Sequence, residues 1–204
     1  MEQEDHYRTV SGESEGFYKE KGSKFLSFAY PAESEEVVKE QLALLRKQYY
    51  DARHFCYAFV LKPEEGREES YRANDDGEPA HSAGDPILGQ IRSYGLHDVL
   101  VVVIRYFGGT KLGVSGLINA YKTASAQALA NNKVVEKTVR KSFGIRFSYE
   151  ATSEVMHTID RYQLQIVLQE FTADCYYMLS ATRSQAAHVK NELATIRGVS
   201  LIKH

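Results

Sequence analysis

Residues 99–117, VLVVVIRYFGGTKLGVSGL, decide the fold of the first part of the chain. Six apolar residues, five of them β-branched, run without interruption from Val99 to Ile104. Such a run is typical of a strand that is covered on both faces. A loop rich in glycine follows, and from Ser115 apolar residues recur at helical spacing until Asn131. We therefore predict a buried strand, a tight glycine loop and a helix.

The glycine loop matches neither of the common nucleotide-binding motifs. A P-loop places its lysine after the second glycine, whereas Lys111 lies between Gly109 and Gly113, and the dinucleotide pattern GxGxxG is absent. In one interpretation, the glycines have only a structural role: they permit positive φ and close packing. Alternatively, the loop contacts an anion, because it carries a hydroxyl and a cation just before a helix N-terminus. The residues of this candidate phosphate contact are Arg105, Gly108, Gly109, Thr110, Lys111 and Gly113.

The preceding residues predict alternating strands and helices. Residues 17–30 predict two strands joined by a turn at Lys21-Gly22-Ser23, and Ser34 is a candidate N-cap of an amphipathic helix. The alternating aromatic residues of 53–62 predict another strand. Residues 63–85 predict a long loop, followed by a short helix over 87–94.

The predicted loop over 63–85 is strongly acidic, with eight carboxylates against two arginines. Arg105 ends a buried strand, where a charged side chain needs a counterion, so we expect it to pair with one of these acids. The carboxylates lack DxDxDG spacing, and the serine motif GxSxG is also absent. We therefore assign no metal, no cofactor and no catalytic residue.

Residues from 139 onward predict the order β-α-β-β-α-β, which is the ferredoxin-like order. The strand KSFGIRFSYE alternates in character, with four apolar residues on one face and four polar residues on the other. Because helices cover one face of such a sheet, the polar face is available to contact RNA phosphate through Arg140 and Arg146. The aromatic signature that RRM domains use to stack bases is absent. The apolar face comprises Phe143, Ile145, Phe147 and Tyr149, and the polar face comprises Arg140, Ser142, Arg146 and Ser148.

Length, charge and cysteine content set limits on the kind of protein. The 204 residues suit two units, which we place at 1–136 and 137–204, with net charges of −5 and +3. The longest apolar run is far shorter than the roughly 20 residues that span a bilayer, and the acidic start MEQED does not resemble a signal peptide. Cys56 and Cys175 lie far apart, outside any CxxC motif. We expect a cytoplasmic protein without a membrane partner.

Four stretches together resemble the IMPACT family, and in particular its bacterial, YigZ-like and YvyE-like members. They are EKGSKF (20–25), ARHFCYAF (52–59), DDGEPAHSAGDPILGQI (75–91) and VVVIRYFGGTKLGVSGLINAYKTA (101–124). The resemblance implies an α+β protein of two domains. The first would resemble the second domain of small-subunit ribosomal protein 5 and domain IV of elongation factor G. The second would be ferredoxin-like, as domain V of that factor is.

The resemblance also indicates where a site would lie. It implies that the acidic stretch and the glycine loop face each other across one cleft, with Lys111 near Asp76 and His81. The candidate cleft residues on the acidic side are Asp75, Asp76, Glu78, His81, Ser82 and Asp85.

Three functions remain open from the sequence. The first is a non-enzymatic protein that binds RNA or the ribosome and regulates translation, because the domains it resembles touch RNA. The second is an enzyme acting on a small molecule or nucleotide phosphate through the glycine loop, since GHMP-type kinases use such a loop before a helix. The third is a module that binds a protein partner. Bound nucleotide would favour the enzyme, and one stoichiometric protein partner would favour the module.

Overall fold

The computed structural model describes residues 5–62 and 69–202, which form two compact units. One unit comprises Arg8–Glu136, and the other comprises residues 5–7 together with the described residues from Lys137 onward. Each unit combines helices with an antiparallel sheet, so the predicted two-domain α+β class is confirmed.

A five-stranded sheet forms the centre of the first unit. Its strands lie in the order β2-β3-β6-β4-β5, and all neighbouring strands are antiparallel. The predicted turn between β2 and β3 is present, with positive φ at Lys21 and Gly22. The strands are β2 (Ser14–Glu20), β3 (Ser23–Pro31), β4 (His54–Leu61), β5 (Ser70–Asn74) and β6 (Val99–Tyr106).

Strand β6 is central because both of its faces are apolar. Val99, Val101 and Val103 pack in one core with two helices, α2 (Gly84–Ser93) and α3 (Gly113–Ala130). The alternate residues of β6 pack in a second core with the helix on the opposite face of the sheet, α1 (Glu35–Gln48). The predicted N-cap of α1 is confirmed, since the Ser34 hydroxyl accepts a hydrogen bond from the Val37 amide at 3.4 Å. The alternate residues are Leu100, Val102 and Ile104.

The prediction of a loop throughout 63–85 is wrong for its middle part. Residues 70–74 form the edge strand β5, paired with β4 from Leu61↔Ser70 to Tyr57↔Asn74. Its sequence, SYRAN, has no apolar alternation because the strand is mostly exposed at the sheet edge. Helix α2 also begins earlier than predicted, at Gly84. Glu64, Glu65, Arg67 and Glu68 of the predicted loop lie outside the described residues.

The second unit has the predicted ferredoxin-like order. Its sheet has the strand order β11-β8-β10-β9, and every neighbouring pair is antiparallel. Both helices contribute to a single core on one face of the sheet, where Phe143, Ile145 and Phe147 are buried as predicted. The elements are β8 (Arg140–Phe147), α4 (Thr152–Arg161), β9 (Gln165–Phe171), β10 (Cys175–Thr182), α5 (Ala186–Thr195) and β11 (Val199–Ile202).

The placement of Tyr149 on the apolar face of this sheet is wrong. The strand ends at Phe147, and Tyr149 begins a short 3-10 turn in which its side chain is 56% exposed. Its hydroxyl donates to the Thr172 carbonyl at 2.9 Å. Alternation along a strand predicts facing only as far as the strand continues.

Three further features complete the fold. Two short strands that the sequence pattern does not predict, β1 (His6–Val10) and β7 (Val134–Thr138), pair with each other. Each unit buries one free cysteine, Cys56 in the first and Cys175 in the second. No helix in the described part of the chain is long and apolar enough to cross a lipid bilayer.

The central position of β6 predicts a large cost for shortening its side chains. Leu100 is fully buried, so Leu100→Ala should lower the free energy of unfolding by about 2–5 kcal/mol through lost burial and a residual cavity. The measurement is urea unfolding followed by circular dichroism. Leu44→Ala is the control, because Leu44 is 59% exposed and should change stability by less than about 0.5 kcal/mol. Equal losses in the two variants would contradict the two-faced burial of β6.

Candidate functional site

A buried arginine at the end of the central strand organises the candidate site. Arg105 lies in the same row of the sheet as Phe25 and His54, on the face toward α2 and α3. Its side chain is only 7% exposed, and its guanidinium lies 5.5 Å from the centroid of the Phe25 ring. Because a buried cation needs a counterion, the position of this group determines which acid must lie beside it.

Glu78 is that counterion, so the predicted pairing of Arg105 with an acid of the 63–85 stretch is confirmed. Arg105 Nη1 donates to Glu78 Oε1 at 2.6 Å, and the Glu78 side chain is only 4% exposed. The Tyr121 hydroxyl donates to the same oxygen at 2.8 Å. Arg105 Nη2 lies within 3.4 Å of the Ser23 hydroxyl. Residues from four parts of the first unit thus meet around one ion pair.

Tyr121 and Cys56 are held neutral beside this ion pair. Burial raises the pKa of the Tyr121 hydroxyl, and the nearby Cys56 and Glu78 raise it further. Burial likewise raises the pKa of the Cys56 thiol, which donates to the Asp75 carbonyl at 3.0 Å and lies 3.3 Å from the Tyr121 oxygen. A nucleophilic thiol needs a lowered pKa and access, so Cys56 is suited to packing rather than to catalysis.

Asp75 caps the N-terminus of α2. One carboxylate oxygen accepts from the amides of Ala83 and Gly84 at 2.9 and 2.8 Å, and the other accepts from the His81 amide at 2.9 Å. Burial alone would raise the pKa of Asp75, but these donors outweigh it and hold the pKa below its ordinary value of 3.8. The carboxylate is therefore used to begin a helix.

Asp76 fastens the same turn to strand β4. Its carboxylate accepts from the Phe55 amide at 2.7 Å and from Arg46 Nη2 at 3.0 Å. Its carbonyl lies 2.9 Å from His54 Nδ1, and since a carbonyl can only accept, this ring nitrogen carries the hydrogen. Asp76 and Gly77 both have positive φ, which makes the turn tight.

The last three candidate cleft residues differ in accessibility. His81 is 81% exposed, and its Nδ1 lies 2.6 Å from an oxygen of Asp85, which belongs to the first turn of α2 rather than to a loop. Ser82 is fully buried and donates to the Pro79 carbonyl at 2.6 Å. The expectation that Ser82 lines a cleft is therefore wrong, because its hydroxyl has no access to a ligand.

The glycine loop contains both a structural part and an exposed part. At Gly108 a Cβ would lie 1.9 Å from the Gly22 carbonyl carbon, so two backbones can approach here only without a side chain. Gly109 and Gly113 have positive φ, as the structural interpretation requires. Thr110 and Lys111 are exposed. The loop precedes α3, whose first turn has no side-chain cap.

An open cavity of about 350 Å³ lies at the end of β6. Its wall includes two cationic side chains, Arg53 and Arg105, together with the His54 ring. The Tyr106 hydroxyl donates to Asp51 at 2.8 Å, and burial followed by this hydrogen bond raises the pKa of Tyr106 to about 12. Among residues 5–62 and 69–202, no three His, Cys, Asp or Glu side chains are grouped as metal ligands.

The two cations predicted on the ferredoxin-like sheet have different environments. Arg146 is exposed on the face away from the helices. Arg140 is half-buried, and its guanidinium donates to the Ser180 carbonyl at 2.8 Å and to the Ser180 hydroxyl at 3.3 Å. Arg146 can therefore reach a phosphate without losing a bond inside the unit.

The profile of the Impact N-terminal domain matches residues 21–129, which span the ion pair, the capped turn and the glycine loop. The chain belongs to the IMPACT family. An IMPACT family member from Haemophilus influenzae is 31% identical over 174 residues, covering 85% of this chain and 84% of the relative. The IMPACT family member YigZ of Escherichia coli is 28% identical over 182 residues, covering 89% and 88%.

The fold of this IMPACT chain is similar to that of a solved structure along almost its whole length. The crystal structure of a hypothetical protein covers 99% of this chain and 98% of its own, with a TM-score of 0.71 and 24% sequence identity. This likeness concerns the fold alone. The family match includes the residues that build the site.

Sequence reasoning missed two members of the site. Tyr121 is predicted only as part of the apolar stripe of α3, and Ser23 only as part of a turn. A hydroxyl in a stripe otherwise made of alanine and leucine is the available signal, because a buried tyrosine hydroxyl needs a partner. Its partner, Glu78, lies 43 residues away in the chain.

The ion pair predicts a large difference between two glutamate substitutions. Glu78→Gln keeps the size of the side chain but leaves Arg105 buried without a counterion, so the free energy of unfolding should fall by about 3–5 kcal/mol. Glu69→Gln is the matched control, because Glu69 forms partly exposed pairs with Arg92 and His97 that contribute about 0–1 kcal/mol. Chemical unfolding of both variants measures the difference. Similar losses of unfolding free energy in the two variants would contradict a larger contribution from the Arg105–Glu78 pair.

The cap on α2 predicts a dependence on pH. Asp75→Asn should lower the free energy of unfolding at pH 7 by about 1 kcal/mol, because the amide nitrogen that replaces one carboxylate oxygen cannot accept a hydrogen bond from a backbone amide. The depressed pKa of Asp75 means that its contribution is complete above the ordinary value of 3.8 and is lost as pH falls through the lower folded-state pKa. The difference between variant and wild type should therefore shrink below pH 3.8.

Urea unfolding at pH 7 and in acid measures this difference. Asp160→Asn provides the control, since Asp160 is exposed on α4. A penalty for Asp75→Asn that stays constant into acid would show that charge on Asp75 does not contribute to the cap.

Proposed function

We propose that this IMPACT-family chain is a non-enzymatic cytoplasmic protein that binds RNA or the ribosome and acts in the regulation of translation. The observation that carries the proposal is the exposed Arg146 on the helix-free face of a ferredoxin-like sheet. An exposed arginine on such a face is available to neutralise phosphate, and residues 137–204, which make up most of the second unit, carry a net charge of +3. The resemblance to ribosomal and elongation-factor domains supports the same class of partner.

The glycine loop supplies the second contact of the proposal. Lys111 and Thr110 are exposed just before the uncapped first turn of α3, where backbone amides are available to an anion. Arg105, by contrast, is paired with Glu78, and its Nη2 lies 3.4 Å from the Ser23 hydroxyl, which accepts from the Gly108 amide of the loop at 3.1 Å. We therefore assign phosphate contact to Lys111 and a positioning role to Arg105.

Binding rather than catalysis is supported by the state of the reactive groups. The side chains of Cys56, Tyr121 and Glu78 are buried, and the Tyr121 hydroxyl contacts both of the others. Ser82 is buried as well. A general acid, general base or nucleophile must reach its substrate. These four groups do not, so they are suited to holding the fold of the site.

A protein-binding module is the second candidate, because the exposed surface near the glycine loop is partly apolar. Phe107 is 59% exposed, and Val114 and Ile118, one turn apart on α3, are 53% and 39% exposed. Exposed apolar side chains that lie close together are typical of contact surfaces for other proteins.

The test of the proposal is binding to transfer RNA and to a ribosomal RNA fragment, followed by fluorescence anisotropy at stepped salt. We expect affinity to fall as salt rises, because phosphate contacts release counterions. Lys111→Ala and Arg146→Ala should each weaken binding and reduce the slope of log K against log salt by about 0.7–0.9.

Two exposed cations elsewhere serve as matched controls. Lys39→Ala on α1 and Arg197→Ala beyond α5 remove the same charges from other surfaces, and should leave the slope unchanged. No binding to either RNA or to ribosomes at low salt would overturn the proposal. Recovery of one stoichiometric protein partner in its place would favour the second candidate.

A further inference from the structure

The face of the ferredoxin-like sheet away from its helices is built from alternate residues of the two central strands, β8 and β10. Core residues such as Phe143, Ile145 and Tyr177 point toward the helices, so their neighbours point the other way. The register places Arg146 opposite Tyr176 and Gly144 opposite Met178. We call this surface the open face; it comprises Arg140, Ser142, Gly144, Arg146, Tyr176, Met178 and Ser180.

Tyr176 lies across the sheet instead of standing up from it. A Cβ at Gly144 would lie 3.0 Å from the Tyr176 hydroxyl and 3.1 Å from its Cε2. Both atoms belong to the far end of the ring, so the ring extends diagonally from β10 over β8 at the one position where no side chain stands. Tyr176 remains partly exposed. The ring therefore covers Gly144 while the residue keeps part of its surface exposed to solvent.

A second planar group lies on the same face. The Arg140 guanidinium donates through both Nη2 and Nε to Ser180, which is only 5% exposed. These two bonds hold the guanidinium against the sheet. Aromatic rings and planar guanidinium groups are side chains on which unpaired bases stack.

Charge on the open face is distributed unevenly around the Tyr176 ring. Arg146, exposed, lies directly opposite Tyr176 on β8, and Glu170 lies opposite it on β9. A phosphate backbone is attracted to Arg146 and repelled by Glu170. A bound strand would therefore run on the β8 side of the ring.

We propose that the open face binds single-stranded RNA, with an unpaired base stacked on Tyr176, a neighbouring base over Arg140 and a phosphate paired with Arg146. This inference rests on the proposed RNA-binding function and specifies its substrate class. Only unpaired nucleotides expose the ring faces that stacking requires, so duplex RNA should gain nothing from Tyr176.

The first experiment compares ring and non-ring variants on two probes, a fluorescent oligouridine and an RNA duplex of the same length. Tyr176→Leu should weaken binding of the oligouridine at least about fivefold, because base stacking on an aromatic side chain contributes that much or more per base. Tyr176→Phe keeps the ring and should bind as the wild type does. Duplex affinity should not differ among the three proteins.

Phe171→Leu is the matched control for the loss of an aromatic side chain. Phe171 is 56% exposed on the same sheet but lies in register with the buried Cys175, on the side of the helices. The Phe171→Leu variant should therefore bind oligouridine as the wild type does. Thermal unfolding of each variant shows whether a lost affinity reflects a lost fold.

The second experiment uses the absence of tryptophan from this chain. Tyr176→Trp places a single tryptophan on the open face, and stacking of a base should quench its fluorescence as oligouridine is added. Phe171→Trp places the fluorophore on the other side of the sheet and should show no quenching. The spectroscopic readout responds to contact with a base and not to stability.

The outcomes separate this inference from the function on which it rests. RNA binding by the wild type with no effect of Tyr176→Leu, and no quenching with Tyr176→Trp, would overturn the stacking surface and leave the proposed function standing. Failure of the wild type to bind oligouridine, transfer RNA or ribosomes would overturn the proposed function itself. Selective loss of oligouridine binding together with quenching would support both.

Discussion

The first unit depends on the pairing of Arg105 with Glu78. An arginine at the end of a fully buried strand needs a counterion. The carboxylate that neutralises Arg105 belongs to Glu78, in a turn on the other side of strand β4. The ion pair fixes where that turn lies, and with it where α2 begins. Tyr121 and Ser23 then join the pair from α3 and β3. One desolvated charge therefore determines the arrangement of four segments.

The acidic turn carries out three tasks with three neighbouring carboxylates. Asp75 caps a helix, Asp76 binds the backbone of β4, and Glu78 neutralises a buried arginine. In the sequence alone, these acids form a dense cluster that lacks the spacing of a metal site. In the fold each has its own donors, which explains why a dense acidic stretch can be packed against the core without strong mutual repulsion.

The sequence predicts the helices and strands correctly where a whole face of the element is buried. The run from Val99 to Ile104 predicts a central strand, and the helical and ferredoxin-like patterns hold because each has one face against a core. Strand β5 could not be predicted, because an edge strand that is exposed shows no apolar alternation and exists only through its pairing with β4. The start of α2 was missed because its cap, Asp75, lies nine residues before the amide of Gly84.

The sequence predicts the chemistry of the candidate site but not which residues contact each other within it. A buried Arg105 requires an acid, yet nothing local distinguishes Glu78 from the other seven carboxylates of 63–85. The outward direction of Arg146 follows from alternation along a strand. The position of Tyr176 does not, because the ring lies over Gly144 on a neighbouring strand, and only the register of the two strands brings them together.

The two buried cysteines allow the local unfolding of each unit to be followed. Each unit holds one thiol, 0% exposed at Cys56 and 1% exposed at Cys175, and the pair accounts for all the cysteine in the chain. A thiol reagent can attack only when the surrounding core separates, and the raised pKa of Cys56 slows its reaction further. The chain therefore contains a natural label in each unit, and the rate at which each thiol becomes reactive reports the opening of that unit separately.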